Sequence, residues 1–176
     1  MKKERFKYKL FGRFKGRKRN EEINSNLINL YKINTTINLD ANCYNILDIG
    51  SGSGENAINL SDKYTEARII TCELFKDGNL NLINKIIENN IKNINLFHGN
   101  VLEFLDNINC PNIFDEVWIL FPDPWPKMRH HKRRLINPFF LKKISYFIKK
   151  SGNLMIATDS KSYTYSILKS IYEAQD

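Results

Sequence analysis

Cysteine is scarce. Cys43, Cys72 and Cys110 are odd in number, widely spaced and absent from any Cys-x-x-Cys pair. That supports neither a disulfide framework nor a zinc site and fits a reducing cytoplasm. No stretch approaches the roughly 18 consecutive apolar residues of a membrane span. The opening Met-Lys-Lys-Glu-Arg never reaches the apolar core of a signal peptide. The expectation is a soluble, cytoplasmic protein with no membrane partner. Internal repeats, Gly/Ser linkers and Pro-rich segments are also missing, so nothing divides the chain into separate modules. Acidic residues are in deficit, with 19 Asp+Glu against 27 Lys+Arg and a formal charge of +8.

What is present is enough for one compact domain: 176 residues, 42% of them hydrophobic. The excess positive charge crowds into the first 19 positions and into the stretch from Lys127 to Arg134. A polyanionic partner follows, and nucleic acid suits this pattern better than a membrane surface. Asn, Ile and Lys are over-used everywhere, so Arg carries more weight than Lys in locating that partner's contacts. Residues 1–33 read as a basic leader and a short helix, with Ile23, Leu27, Leu30 and Tyr31 at helical spacing over residues 21–33. Residues 34–176 read as the main domain.

From Asn45 onward, strand-like and helix-like segments alternate. Strands are predicted at residues 46–49, 68–72, 94–97, 114–121 and 154–157, and helices at 56–64, 77–90, 138–149 and 160–172. This order implies right-handed crossovers and a Rossmann-like, doubly wound parallel sheet covered on both faces.

Between the first strand and first helix runs Leu47-Asp48-Ile49-Gly50-Ser51-Gly52-Ser53-Gly54. Side chains at Gly50 or Gly52 would occupy space that a ligand needs. A dinucleotide fingerprint would place its third glycine where Glu55 stands, and a carboxylate there repels a pyrophosphate. Glu73, at the end of the second strand, can accept hydrogen bonds from both hydroxyls of a ribose. An adenosyl ligand without phosphates satisfies both loop and acid. The arrangement resembles the S-adenosylmethionine site of class I methyltransferases, which implies Asp48 toward the methionine end and Glu73 toward the ribose. By the same resemblance Asn100 receives the adenine amino group where the family usually carries Asp, a substitution worth on the order of 1 kcal/mol in cofactor affinity.

The fourth strand runs into Phe121-Pro122-Asp123-Pro124-Trp125-Pro126-Lys127 at the sheet end that faces the ligand crevice. Three prolines in five residues stiffen this loop and leave Asp123 and Trp125 little freedom to lose on binding. Read alone, Asp123 could equally be a turn former and Trp125 a core aromatic. Arg129, Lys132, Arg133 and Arg134 follow, interleaved with His130 and His131, a density of charge suited to several phosphates. No ligand partners stand at metal-site spacing from the two histidines.

The block from Phe121 to Arg134 resembles the signature of bacterial tRNA (guanine-N7)-methyltransferases. The likeness extends to Ala157-Thr158-Asp159 and Tyr163, and to Gly12-Arg13 and Gly16-Arg17 in the leader. It implies tRNA as partner, S-adenosylmethionine as methyl donor and N7 of a variable-loop guanosine as acceptor. It also implies that Asp123 is catalytic and borders the cofactor, that Lys127 and Asp159 contact substrate, and that residues 129–134 touch RNA. A complete class I sheet has two further strands, and family members carry a Thr-x-x-Glu motif there. This chain is expected to lack strands six and seven and to leave its fifth strand as an open edge, available to a second copy or a completing partner. Two alternatives keep the ancestry: a non-catalytic or partner-dependent RNA-binding remnant, and a methyltransferase for another RNA.

Overall fold

β1 (Asn45–Ile49) is buried at every position, as a strand in the middle of a sheet covered on both faces must be. In the computed structural model, which describes residues 8, 9, 11, 37 and 39–175, β1 lies between β2 (Arg68–Glu73) and β4 (Phe114–Leu120). β3 (Ile94–His98) and β5 (Ile148–Ala157) extend the sheet to the order β3-β2-β1-β4-β5, with every pair parallel. The helices are α1 (Glu55–Lys63), α2 (Lys76–Glu88), α3 (Val101–Asp106), α4 (Pro138–Ser145) and α5 (Lys161–Ala174), with a 3-10 helix at Met128–Arg133. The expected helix at residues 21–33 and the Gly-Arg pairs of the leader lie outside the described residues.

Alternation along the strands sorts the apolar side chains into two cores. Ile46, Ile69, Ile94 and Leu96 pack with Ala57 and Leu60 of α1 and Leu82 of α2. Leu47, Ile49, Ile70, Val117 and Ile119 pack on the opposite face with Phe104 of α3, Phe140 and Ile144 of α4, and Tyr163 and Ile167 of α5. This is the doubly wound parallel sheet expected from the sequence, and its strand order reverses at β1 and β4, where such sheets open a crevice beyond their carboxyl ends. β5 forms one edge of the described sheet. Among the described residues no helix is long and apolar enough to cross a membrane.

Four elements differ from expectation. The helix predicted to reach residue 149 ends at Ser145, and β5 begins at Ile148 rather than at residue 154. Pairing decides this. Ile148 aligns with Phe114, Lys149 pairs with Asp115 at 2.8 Å, and the register shifts before Asn153 aligns with Glu116. Gly152 belongs to this irregular stretch because a Cβ there would lie 2.9 Å from the Phe114 carbonyl oxygen. The short α3 and the 3-10 helix were unpredicted, each being only six residues long. α3 exists because Asn100 caps it, its side-chain oxygen accepting from the Leu102 N–H at 2.9 Å.

Candidate active site

The carboxyl ends of β1, β2 and β4 and the residues after β3 surround a cavity of about 630 Å³ whose wall includes Gly50, Glu73, Asn100 and Asp123. Four residues chosen from separate motifs thus meet in one place. Asp48, Gly52 and Gly54 do not line this cavity, and neither do Lys127 and Asp159, which are both exposed.

The glycine loop is held rigidly. Gly50 and Gly52 have φ of 73° and 56°, and a Cβ built on either would meet nothing within 4 Å. Their missing side chains therefore leave open space, as a ligand cradle requires. The Glu73 carboxylate spans the loop, with Oε2 accepting from the Gly52 N–H at 2.9 Å and Oε1 from the Phe75 N–H at 2.7 Å. Each oxygen keeps a second lone pair for a hydroxyl.

Gly54, the third glycine of the run, serves packing. A Cβ there would lie 2.4 Å from Leu82 Cδ1, so its work is to let the loop pack on α2. Gly78, which sequence reasoning missed, does the reciprocal work: a Cβ there would lie 2.3 Å from the Gly52 carbonyl oxygen. A glycine in the first turn of a helix was the signal that could have found it.

Asp48 is 1% exposed, and its Oδ2 has no hydrogen-bond partner among the described residues. Burial raises its carboxyl pKa to about 6, with Asn56 opposing the shift and the Glu73 carboxylate reinforcing it. A buried carboxyl so placed gains from a cationic or hydrogen-donating ligand. Asn100 lines the cavity, but its side-chain oxygen is already engaged in capping α3, so only its second lone pair is left for a ligand amine.

The proline loop carries backbone strain. Phe121 and Trp125 have φ of 48° and 45°, unusual for bulky side chains. Phe121 is held there because its N–H donates to the Ala157 carbonyl at 2.8 Å, continuing the β4–β5 ladder. Asp123, exposed on the cavity wall, lies between the two strained positions.

Arg134 corrects an expectation. Placed by the sequence among the RNA contacts, it is 5% exposed and turned inward. Its Nε donates to the Pro124 carbonyl at 2.8 Å, and its terminal nitrogens donate to the Ser162 carbonyl and hydroxyl at 3.3 and 3.1 Å. Arg133 is also partly committed, its guanidinium lying 4.9 Å from the Trp125 ring centre and 5.4 Å from that of Phe11. Phe11 meets Trp125 edge-on with ring centres 6.4 Å apart. Arg129 and Lys132 remain exposed, and His131 is half-buried. His130 is held below the ordinary histidine pKa by desolvation and by Arg133, Lys127 and Lys132.

Tyr8, Lys9 and Phe11 of the leader also line the cavity. The Tyr8 hydroxyl donates to Asp106 at 2.9 Å, and Lys143 pairs with the same carboxylate and donates to the Tyr8 hydroxyl. Nothing in the leader's spacing pointed to this contact, which depends on α3 and α4 being adjacent.

A family model described as "Putative methyltransferase" matches residues 43–176. A tRNA (guanine-N(7)-)-methyltransferase of Buchnera aphidicola subsp. Schizaphis graminum is 36% identical over 126 residues, covering 72% of this chain and 53% of that protein. One from Corynebacterium diphtheriae is 38% identical over 118 residues, covering 67% of this chain and 46% of that protein. The chain therefore spans about half the length of these curated relatives. Among solved structures, precorrin-6y C5,15-methyltransferase from Geobacter metallireducens superposes with a TM-score of 0.58 at 17% identity, covering 75% of this chain and 63% of that one. That likeness is one of fold.

Proposed function

Since the chain belongs to the methyltransferase family whose model spans residues 43–176, we propose that it transfers a methyl group from S-adenosylmethionine to N7 of a guanosine in the variable loop of tRNA. The observation that carries this reading is the meeting of the Gly50 cradle, Glu73 and Asp123 in one cavity, beside a cationic surface at Arg129 and Lys132. Two relatives named for this reaction support the choice of tRNA and of guanine N7.

The residues present fit the cofactor. Gly50 and Gly52 leave the space an adenosyl group needs, Glu73 has lone pairs for ribose hydroxyls, and the unpartnered Asp48 oxygen suits the cationic methionine end. Asn100 stands at the adenine end with one lone pair to offer. When bound, S-adenosylmethionine supplies an electrophilic methyl group on a sulfonium centre.

The protein's share is alignment and charge stabilisation. Guanine N7 has an exposed lone pair and no proton, so no general base is needed. Methylation leaves positive charge in the purine and makes N1–H and the exocyclic amine more acidic. The Asp123 carboxylate accepts hydrogen bonds from these groups, which strengthen as charge develops. Lys127 and Asp159, both exposed, hold parts of the nucleotide outside the cavity. Arg129 and Lys132 meet phosphates, with His130 and His131 at the same surface.

The test is direct. Purified chain is incubated with isotopically labelled S-adenosylmethionine and unmodified tRNA, and the digested RNA is analysed by mass spectrometry. N7-methylguanosine is expected. A different methylated nucleoside overturns the acceptor, and no product from a chain that binds S-adenosylhomocysteine turns the reading to an RNA-binding remnant or a partner-dependent enzyme.

A further inference from the structure

Two aromatic residues of the proline loop line the cavity, Phe121 and Trp125, and their surroundings differ. Trp125 is occupied: Arg133 lies over its ring at 4.9 Å, with Phe11 and His130 edge-on at 6.4 and 5.8 Å. Phe121 is 66% exposed. It also holds a φ of 48°, a conformation that costs free energy for a bulky side chain and persists because the ladder bond to Ala157 enforces it. An aromatic ring held mostly in water on a strained backbone gains little packing from the described residues around it.

Its position selects the ligand. Phe121 follows β4, whereas Glu73 and Asn100 follow β2 and β3 on the other side of β1. The cofactor's ribose and adenine contacts therefore lie across β1 from Phe121, while Asp123 is two residues away on the same loop. A planar base whose edge meets Asp123 has its face within reach of Phe121.

We infer that Phe121 is the stacking platform for the target purine and, with Asp123, sets its orientation; this deepens the tRNA methyltransferase reading and rests on it. The purine leaves its own stack in the RNA and recovers that loss against the exposed ring. Trp125, clamped by Arg133 and Phe11, supports the loop instead.

The experiment compares wild type with Phe121→Leu and Phe121→Tyr. Unmodified tRNA and S-adenosylmethionine are used for steady-state kinetics. tRNA carrying 2-aminopurine at the variable-loop guanosine, with saturating S-adenosylhomocysteine, is used for fluorescence. Leucine keeps the apolar bulk and removes the π face, so kcat/KM for tRNA falls roughly 5- to 150-fold, the range of one lost base stack. S-adenosylhomocysteine affinity stays within about twofold, and Tyr recovers most of the loss.

The fluorescence rise that reports the unstacked base falls by at least about half in Phe121→Leu and returns in Phe121→Tyr. Equal rises in wild type and Phe121→Leu overturn the platform, as does a parallel loss of S-adenosylhomocysteine affinity. If wild type makes no N7-methylguanosine but its fluorescence rise still depends on the ring, the proposed reaction fails and the platform stands.

Discussion

The guanidinium of Arg134 lies 4.8 Å from the ring centre of Tyr163, which is itself 0% exposed and accepts a hydrogen bond from the Ile136 N–H through its hydroxyl. With the bond from Arg134 to Pro124, this stack ties the proline loop to the start of α5. The loop that presents Asp123 is thus anchored from the protein interior.

A division of labour within the basic cluster follows. Arg134→Ala should destabilise the fold by about 2 kcal/mol, since it strands the Pro124 and Ser162 acceptors, and should lower the melting temperature by about 5 °C. Its logarithmic salt slope for tRNA binding should be unchanged. Arg129→Ala with Lys132→Ala should leave the melt nearly unaltered and reduce the slope by roughly 1–2. Thermal melts and binding titrations from 50 to about 200 mM salt decide between these patterns; an altered slope in Arg134→Ala sends that residue back to the RNA surface.

Asp48 makes the ligand-free fold sensitive to pH. Its folded pKa, about 6, stands above the ordinary value of 3.8, so its contribution is fully present below pH 4 and is lost as pH rises through 6. Asp48→Asn should therefore be the more stable chain at pH 7.5, by about 2–3 kcal/mol, with the difference vanishing near pH 4. The same variant should bind S-adenosylmethionine more weakly. Melting curves at pH 4, 5.5 and 7.5 test the first claim; a stability difference independent of pH rejects it.

Asp123→Asn retains shape and removes charge. Turnover at saturating cofactor and tRNA should drop about 10²-fold, because the lost interaction is strongest in the transition state. Calorimetric affinity for S-adenosylhomocysteine should stay within about twofold. Undiminished turnover would remove Asp123 from the chemistry.

The contact between Gly78 and the Gly52 carbonyl ties helix packing to the cofactor loop. Gly78→Ala puts a Cβ 2.3 Å from that oxygen, so either α2 or the glycine loop must shift. Overpacking of this kind costs about 1–3 kcal/mol, expected here as a roughly tenfold or greater loss of S-adenosylhomocysteine affinity. Affinity equal to wild type would mean that the helix moves and the loop does not.

The sequence by itself determined the order of the five strands and of four of the five α-helices, because buried parallel strands read as short apolar runs and glycine is forced where backbone turns tightly. It likewise singled out Gly50, Glu73, Asn100 and Asp123 as members of one site, since residues just beyond successive parallel strands converge on the same crevice. Three things only the tertiary structure decided. The boundary between α4 and β5 followed from pairing with Phe114 and Glu116, a partner choice that local propensity does not encode. The roles within the cluster depended on direction: Arg134 and Arg129 are alike in sequence, but one guanidinium finds Pro124, Ser162 and Tyr163 inside the fold while the other faces water. Leader residues Tyr8 and Phe11 joined the cavity wall through contacts with Asp106, Trp125 and Arg133, all more than 90 positions away, which no spacing along the chain records.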